Sequence, residues 1–210
     1  MENGSVHEGT GFGSMNDAVC ELVFNTSMVG YQEIVTDPSY TAQTVVMTYP
    51  LIGNYGIARE DMESAAVHAG ALLVKECCKK PSNWRATMSL PTFLKRYEKP
   101  GMEGLDTRAL TRHLRINGAM RGVISTREFD PRALREKALA LPAMKGRNLV
   151  PFVAAQKPYA WYDNAPREAV FGPDGAYAWR GTGLPLLVYD FGIKWNILRH
   201  LCEAGFEPLA

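Results

Sequence analysis

Four cysteines are the side chains of this sequence best suited to nucleophilic or metal chemistry, because a thiolate is both a nucleophile and a metal ligand. Cys77 and Cys78 are adjacent, Cys20 and Cys202 are isolated, and the pattern C-x-x-C does not occur. Cys20 lies in a predicted strand, and Cys202 lies late in a predicted helix, where the helix dipole disfavours a thiolate. The spacing therefore predicts no disulfide framework, no metal site and no catalytic cysteine, but four reduced structural thiols in a cytosolic protein.

A second group of candidate residues is crowded into the stretch from Phe24 to Gly56, FNTSMVGYQEIVTDPSYTAQTVVMTYPLIGNYG. Asp37 can accept a backbone hydrogen bond, Pro38 presets φ, and Ser39 and Tyr40 complete a tight turn into the next strand. The polar side chains of this connection are Asn25, Thr26, Ser27, Gln32, Asp37 and Ser39. They fit an ordered polar loop and a binding site equally well, and local physics alone does not name a ligand.

A third group is a row of arginines on the predicted helix from Asp106 to Ile116. Arg108, Arg112 and Arg115 follow each other at helical spacing, while Leu110 and Leu114 are one turn apart on the core side. The row is either a solvated basic face or a stripe that binds a partner. Nucleic acid is not expected as that partner, because no aromatic residues alternate with the arginines.

Bulk composition limits the class of protein. The chain of 210 residues is 46% hydrophobic and 21% charged, with a net charge of +1. This suits a globular protein without a global field for nucleic acid or acidic membranes. No apolar run approaches the length of a membrane span, and the N-terminus lacks the apolar core of a signal peptide, so we expect no membrane segment and a cytoplasmic location.

Periodicity and cap residues predict the elements that position these groups. Strands are predicted at Ala18 to Phe24, Gln43 to Tyr49, Ala69 to Cys77, Gly118 to Thr126 and Leu187 to Phe191. Helices are predicted after Ser89, Asp106 and Asp130, and from Lys194 to Ala204. We predict an α+β domain at residues 1–155, a linker at 156–183 with a short hairpin turning at Pro173-Asp174-Gly175, and a strand and helix of a further domain at 184–210.

The sequence resembles the small, glutamine-hydrolysing chain of carbamoyl-phosphate synthase. The resemblance includes the stretch Phe24 to Gly56, Glu63-Ser64, LDTRALTRHLRINGAMRGVI (Leu105 to Ile124), AYAWRGTG and LLVYDFGIKWNILRHLCEAGF, in the family's order. It implies an N-terminal swivelling β/β/α domain followed by the truncated start of an α/β class I glutamine amidotransferase domain. The triad of cysteine, histidine and glutamate would lie beyond residue 210, so the chain is a fragment or its gene is interrupted.

The resemblance also implies the function. The complete ligase would hydrolyse L-glutamine and pass ammonia to a large subunit, which would form carbamoyl phosphate from bicarbonate and ATP for arginine and pyrimidine biosynthesis. ATP and magnesium are expected on that large subunit and no cofactor on this chain. Ser39 matches the family serine that contacts glutamine, while no catalytic residue carries over, so this chain alone is expected to be inactive. The alternatives are another class I amidotransferase, or a non-catalytic module that binds a large partner chain.

One consequence concerns the last residues. Leu186, Leu187 and Val188 are predicted to form a central parallel strand that Ile197, Leu198 and Leu201 pack against. Without the rest of its domain, this segment is expected to be disordered or docked against the first domain or another copy.

Overall fold

The computed structural model describes residues 1–210 and divides into two units, Met1–Arg147 and Asn148–Ala210. The division lies between residues 147 and 148, whereas the sequence analysis placed the end of the first domain at 155. Both units mix helices with sheets, in agreement with the predicted class. No helix in either unit is long and apolar enough to cross a membrane.

The first unit is built from eight strands and four α-helices. In chain order they are β1 (Thr10–Gly13), β2 (Ala18–Asn25), α1 (Tyr31–Thr36), β3 (Gln43–Met47), β4 (Leu51–Ile52), β5 (Ala71–Leu73), β6 (Glu76–Cys77), α2 (Leu90–Arg96), β7 (Pro100–Glu103), α3 (Thr107–Asn117), β8 (Met120–Ile124) and α4 (Pro131–Ala140). Short 3₁₀ turns occur at Pro38–Tyr40 and Arg59–Asp61.

Six of these strands form one mixed sheet in the order β1-β7-β5-β3-β2-β8. The central strands β7, β5, β3 and β2 are parallel, whereas β1 and β8 pair antiparallel at the two edges. Strands β4 and β6 form a separate parallel pair. The carboxyl ends of four neighbouring parallel strands therefore lie at one edge of the large sheet, which is where ligands bind in many such sheets.

Hydrophobic side chains cover both faces of the large sheet, as expected when its centre is parallel. Along β3, Val45 and Met47 belong to one apolar cluster and Val46 belongs to the other, because successive side chains point to opposite faces. Leu110 and Leu114 of α3 lie in the second cluster. Helix α3 is thus held by its leucine side, which leaves its arginine side exposed.

The three predicted helix caps are confirmed. Ser89 Oγ accepts from the backbone N–H of Thr92 at 3.4 Å, and Asp106 Oδ1 accepts from that of Ala109 at 2.9 Å. Asp130 Oδ1 accepts from the N–H of Arg132 at 3.1 Å. Each bond satisfies a donor that the first turn of a helix leaves without a partner.

The predicted strand from Ala69 to Cys77 is wrong as a single element. It consists of β5 and β6, which belong to different sheets. The backbone N–H of Val74 still bonds the carbonyl of Met102 at 2.9 Å, but that of Glu76 bonds the carbonyl of Pro50 at 3.0 Å. The chain changes hydrogen-bonding partner at Lys75, and this change depends on tertiary neighbours that a local pattern does not contain.

The second unit has four strands and one α-helix: β9 (Tyr159–Tyr162), β10 (Ala165–Glu168), β11 (Leu184–Leu187), α5 (Trp195–Glu203) and β12 (Phe206–Leu209). The sheet order is β10-β9-β12-β11, in which β11 and β12 are parallel and β9 is antiparallel to both of its neighbours. A 3₁₀ turn lies at Val150–Phe152. Strand β11, helix α5 and strand β12 form one crossover unit.

The expectation that the end of the chain is disordered or docked against the first domain or another copy stays a prediction, but the second unit supplies a strand partner for this segment that the sequence analysis did not include. Strand β9 lies in the segment predicted as a linker, and it pairs with β12 and places Trp161 in the core.

The predicted turn at Pro173-Asp174-Gly175 is confirmed, since the N–H of Gly172 bonds the carbonyl of Ala176 at 2.8 Å. The strand predicted at Leu187 to Phe191 instead ends at Leu187. Asp190 Oδ1 then accepts from the N–H groups of Gly192 and Ile193, both at 2.8 Å, and turns the chain toward α5.

Candidate functional site

Ser39 lies in the short turn between α1 and β3, where the sequence predicted it. Asp37 Oδ1 accepts from the backbone N–H of Ser39 at 2.8 Å, and the N–H of Tyr40 bonds the carbonyl of Asp37 at 3.1 Å. Pro38 fixes the first residue of this turn. The Ser39 side chain is exposed, and its hydroxyl has no hydrogen-bond partner within the chain. The turn therefore presents a free donor and acceptor on an ordered backbone.

A bond within the turn and contacts with two other segments hold it in place. The Thr41 hydroxyl donates to the carbonyl of Pro38 at 2.8 Å and lies 3.2 Å from Nδ1 of His68. The Tyr40 hydroxyl accepts from Asn25 Nδ2 at 3.0 Å, which ties the turn to the end of β2. Burial lowers the pKa of His68, and the charge of Lys99 acts in the same direction.

Other polar residues of the same stretch hold the fold together. The Gln32 side chain makes two hydrogen bonds to the backbone of Ala58, at 2.5 and 2.9 Å. The Thr36 hydroxyl donates to the carbonyl of Gln32 at 2.8 Å and accepts from the N–H of Glu63 at 3.0 Å. Ser64 Oγ donates to the carbonyl of Thr36 at 2.7 Å. Gln32 therefore has a structural role, but it lies in helix α1 and not in a loop as interpreted from the sequence.

A tyrosine pair, which the sequence analysis did not single out, anchors the start of α1. The rings of Tyr31 and Tyr55 stack with centroids 4.2 Å apart. The Tyr55 hydroxyl accepts from the backbone N–H groups of Gly30 at 2.6 Å and Tyr31 at 3.1 Å. Gly30 has a φ of 84°, which favours glycine there. Burial raises the pKa of Tyr55 to about 12, so the phenol stays neutral and keeps this capping role.

Three of the four cysteines lie in surroundings that suit structural thiols. Cys20 and Cys77 are buried, and burial raises the pKa of both thiols, that of Cys77 to about 12. Burial also raises the pKa of Cys202, whose sulfur lies 3.8 Å from the carbonyl of Trp161. These three thiols are thus kept protonated near neutral pH, which is unfavourable for a nucleophile. No group of three or more His, Cys, Asp or Glu side chains could hold a metal ion.

The arginine row lines a concave surface of the first unit, a groove of about 1010 Å³. We call this surface the basic groove. It lies at the carboxyl ends of the parallel strands, because Thr26 follows β2, Thr48 follows β3, Lys75 follows β5 and Gly104 follows β7. Its remaining lining residues are Pro50, Leu105, Asp106, Thr107, Arg108, Thr111, Arg112 and Arg115. Ser39 is not among them.

Sequence reasoning found the arginines of this groove and included Thr26 among the candidate polar residues, but it missed Lys75 and Thr48. Thr26, Thr48 and Lys75 are far apart in the chain, and only the parallel arrangement of β2, β3 and β5 brings them to one edge. The usable signal was that each lies within two residues of the end of a strand of the same sheet. The order of the strands was not predicted, so the convergence could not be.

Comparison with known proteins gives a consistent result. Residues 1–124 match the family model described as "Carbamoyl-phosphate synthase small chain, CPSase domain". A protein named carbamoyl phosphate synthase small chain from Desulfovibrio desulfuricans is 74% identical over 210 residues, which are 100% of this chain and 56% of that protein. Proteins of the same name from Nitratidesulfovibrio vulgaris and Lawsonia intracellularis are 59% and 53% identical, each over 209 residues, with the same shares covered. The chain thus spans about half the length of the curated relatives it matches.

Proposed function

Because the chain belongs to the family of carbamoyl-phosphate synthase small chains, we propose that it forms the amino-terminal part of a small subunit that supplies ammonia from glutamine to a large synthase subunit. The observation that carries this proposal is the 74% identity to a curated small chain over the whole sequence. In this proposal the first unit is a swivelling β/β/α domain, and the second unit begins a class I amidotransferase domain. The protein works in the cytoplasm.

The chemistry is divided between parts of the enzyme. A cysteine thiolate beyond these residues attacks the carboxamide of glutamine and releases ammonia. The large subunit holds ATP and magnesium and uses the ammonia, with bicarbonate, to make carbamoyl phosphate for arginine and pyrimidine synthesis. This chain contributes no cofactor ligand. Its contribution is to bind the large subunit and to place Ser39 against the substrate.

The assignment of Ser39 to glutamine is supported by its geometry. The hydroxyl is exposed and unpaired, and the backbone below it is fixed by Asp37 and Thr41. Glutamine offers polar groups that both donate and accept, which a serine hydroxyl can match. A preorganised group of this kind binds at low entropic cost.

We test the function with a chimera in which these 210 residues replace the matching part of the Desulfovibrio desulfuricans small chain. Combined with the large chain of the same enzyme, the chimera is expected to support carbamoyl phosphate synthesis from glutamine. A chimera that folds but supports synthesis only from added ammonia would contradict a role in glutamine use. A chain from an amidotransferase of another pathway would likewise give carbamoyl phosphate only from added ammonia, because the large chain uses ammonia directly.

The chain by itself is proposed to hydrolyse no glutamine, because three of its four thiols are kept protonated by burial. Ammonia release by the purified chain is expected to equal that of buffer. Release above that level, abolished by changing one of the four cysteines to alanine, would overturn this proposal.

A further inference from the structure

The basic groove contains positively charged side chains that form no ion pairs within the chain. Lys75, Arg108, Arg112 and Arg115 are exposed and take part in no ion pair. Elsewhere in the same unit, cations do pair with carboxylates, as in Lys79 with Glu103 at 2.8 Å and Lys137 with Asp17 at 3.6 Å. The four cations of the groove are therefore available to a ligand.

Only one acidic side chain lines the groove, and it is already engaged. Asp106 Oδ1 caps α3 through the N–H of Ala109. The amino-terminal end of α3 adds the positive end of its dipole to the same surface. The groove thus has four cationic side chains against the one carboxylate of Asp106, an excess of positive charge in a chain whose net charge is only +1.

One hydroxyl group in the groove also lacks a partner. Thr111 lines the groove, and its Oγ1 atom is buried without a hydrogen-bond partner. Buried polar groups in folded proteins are nearly always hydrogen-bonded. This unpaired hydroxyl is a second, independent indication that a ligand binds against α3.

The dimensions of the site favour a large ligand over a small anion. Arg108, Arg112 and Arg115 lie at spacings of four and three residues, so the row runs about 10 Å along the helix. Exposed apolar side chains lie close to lining residues in the chain: Met28 (68%) and Val29 (66%) follow Thr26, and Ile116 (76%) follows Arg115. Arginine and methionine beside exposed apolar groups are typical of protein interfaces, whereas a free anion makes no use of the apolar residues.

We propose that the basic groove is a docking surface for an acidic surface of the large synthase subunit, held by Arg108 and Arg112 of α3. The inference rests on the proposed function for the identity of the partner. The charge of the groove selects and orients the acidic face, and the exposed side chains of Met28, Val29 and Ile116 are covered in the complex. Nucleic acid does not fit, because no aromatic residues are placed for stacking among the arginines.

The test measures binding of the chain to the immobilised large chain of the Desulfovibrio desulfuricans synthase by surface plasmon resonance. In the charge-reversed variant, Arg108→Glu and Arg112→Glu are combined. In the matched control, Arg127→Glu and Arg132→Glu are combined, because these residues are also exposed, basic and unpaired but lie away from the groove. We expect at least tenfold weaker binding for the first variant and less than twofold change for the control, with a weaker salt dependence only in the first.

Folding and charge are checked separately. All four arginines are exposed, so circular dichroism is expected to show wild-type helix content for both variants. Arg108→Lys combined with Arg112→Lys is expected to retain most of the affinity, because the charge is kept. A charge-reversed variant that is folded and binds like the control would overturn the docking surface while leaving the proposed function intact.

Two further outcomes are informative. If the wild-type chain does not bind the large chain, the partner in the proposed function is wrong and this inference is wrong with it.

Calorimetry with pyrophosphate and with ATP tests whether the basic groove instead binds a small anion. Saturable binding of either compound that is lost in the charge-reversed variant, together with unchanged binding to the large chain, would show a small-anion site and overturn the proposal.

Discussion

The Ser39 hydroxyl is expected to act on glutamine binding alone. In the chimeric small chain with its large chain, Ser39→Ala should raise KM for glutamine several-fold and leave kcat nearly unchanged, because a lost neutral hydrogen bond is worth about 1 kcal/mol. Steady-state kinetics with glutamine and with ammonia would measure this, and ammonia-dependent synthesis should stay at the wild-type rate.

Ser27 provides a matched control for this substitution. It is also exposed, and its backbone N–H bonds Asn25 Oδ1 at 2.8 Å, just as that of Ser39 bonds Asp37 Oδ1. Ser27→Ala is expected to leave KM unchanged. Equal KM values for wild type and Ser39→Ala would remove Ser39 from the glutamine site.

The stability of the fold should depend on pH through His68. Burial lowers its pKa below the ordinary value of 6.5, so the folded protein binds fewer protons than the unfolded chain below that pH. The contribution of His68 is complete above about pH 6.5 and is lost as the pH falls toward the folded-state pKa. We expect the free energy of unfolding to drop between about pH 7 and about pH 5, by less than about 1.4 kcal/mol per unit for this group.

Urea unfolding of wild type and His68→Asn across this pH range would test the assignment. The variant should show a shallower drop. Some drop should remain, because burial also lowers the pKa of His7. An unchanged slope in His68→Asn would show that His68 titrates alike in the folded and unfolded states.

At the level of single residues, sequence reasoning correctly predicted features that depend only on neighbouring residues in the chain. The Asp37 turn that presents Ser39 followed from residue types alone, because an aspartate followed by proline favours this conformation. The Tyr31–Tyr55 stack and the approach of Lys75 to Arg108 did not follow. Each joins residues more than twenty positions apart, whose proximity is decided by the order of strands in the sheet.

Helix α3 is the element on which both the core and the basic groove depend, and its amino-terminal cap can be tested directly. Asp106→Ala removes the acceptor for the N–H of Ala109 and should lower the free energy of unfolding by about 1 kcal/mol. Asp106→Asn keeps an acceptor oxygen at the same place and should cost clearly less. Equal losses in the two variants, measured by urea unfolding, would mean that the carboxylate charge and not the cap stabilises the helix.

The elements that sequence predicted correctly are those with signals inside their own residues. Strand β2 shows its alternation, with Ala18, Cys20 and Leu22 buried, and α3 shows both its cap and its terminal glycine, Gly118, at a φ of 86°. The pairing of β9 with β12 has no such signal, because Tyr159–Tyr162 is short and its partner lies more than forty residues later. The local composition suggested a linker, and tertiary pairing made it a strand.

The two units differ in how completely they bury their own apolar surface. The first unit has helices and loops over both faces of its sheet. The second unit leaves large side chains in solvent along β11, the turn after it and α5: Leu184, Leu187, Tyr189, Phe191 and Ile197. Exposed apolar patches of this kind bind other proteins, or other copies of the same chain.

We therefore expect residues 1–147 to fold alone and to associate less than the whole chain. All strands of the large sheet and helices α1 to α4 lie within these residues, so urea unfolding should stay cooperative. Removing residues 148–210 removes the exposed apolar side chains of the second unit. Binding of the dye ANS should fall severalfold, and sedimentation coefficients should become independent of protein concentration.

A truncated chain that unfolds without cooperativity would show that the first unit needs the second. Undiminished dye binding by a well-folded truncated chain would instead place the exposed apolar surface on the first unit, where Met28, Val29 and Ile116 are exposed.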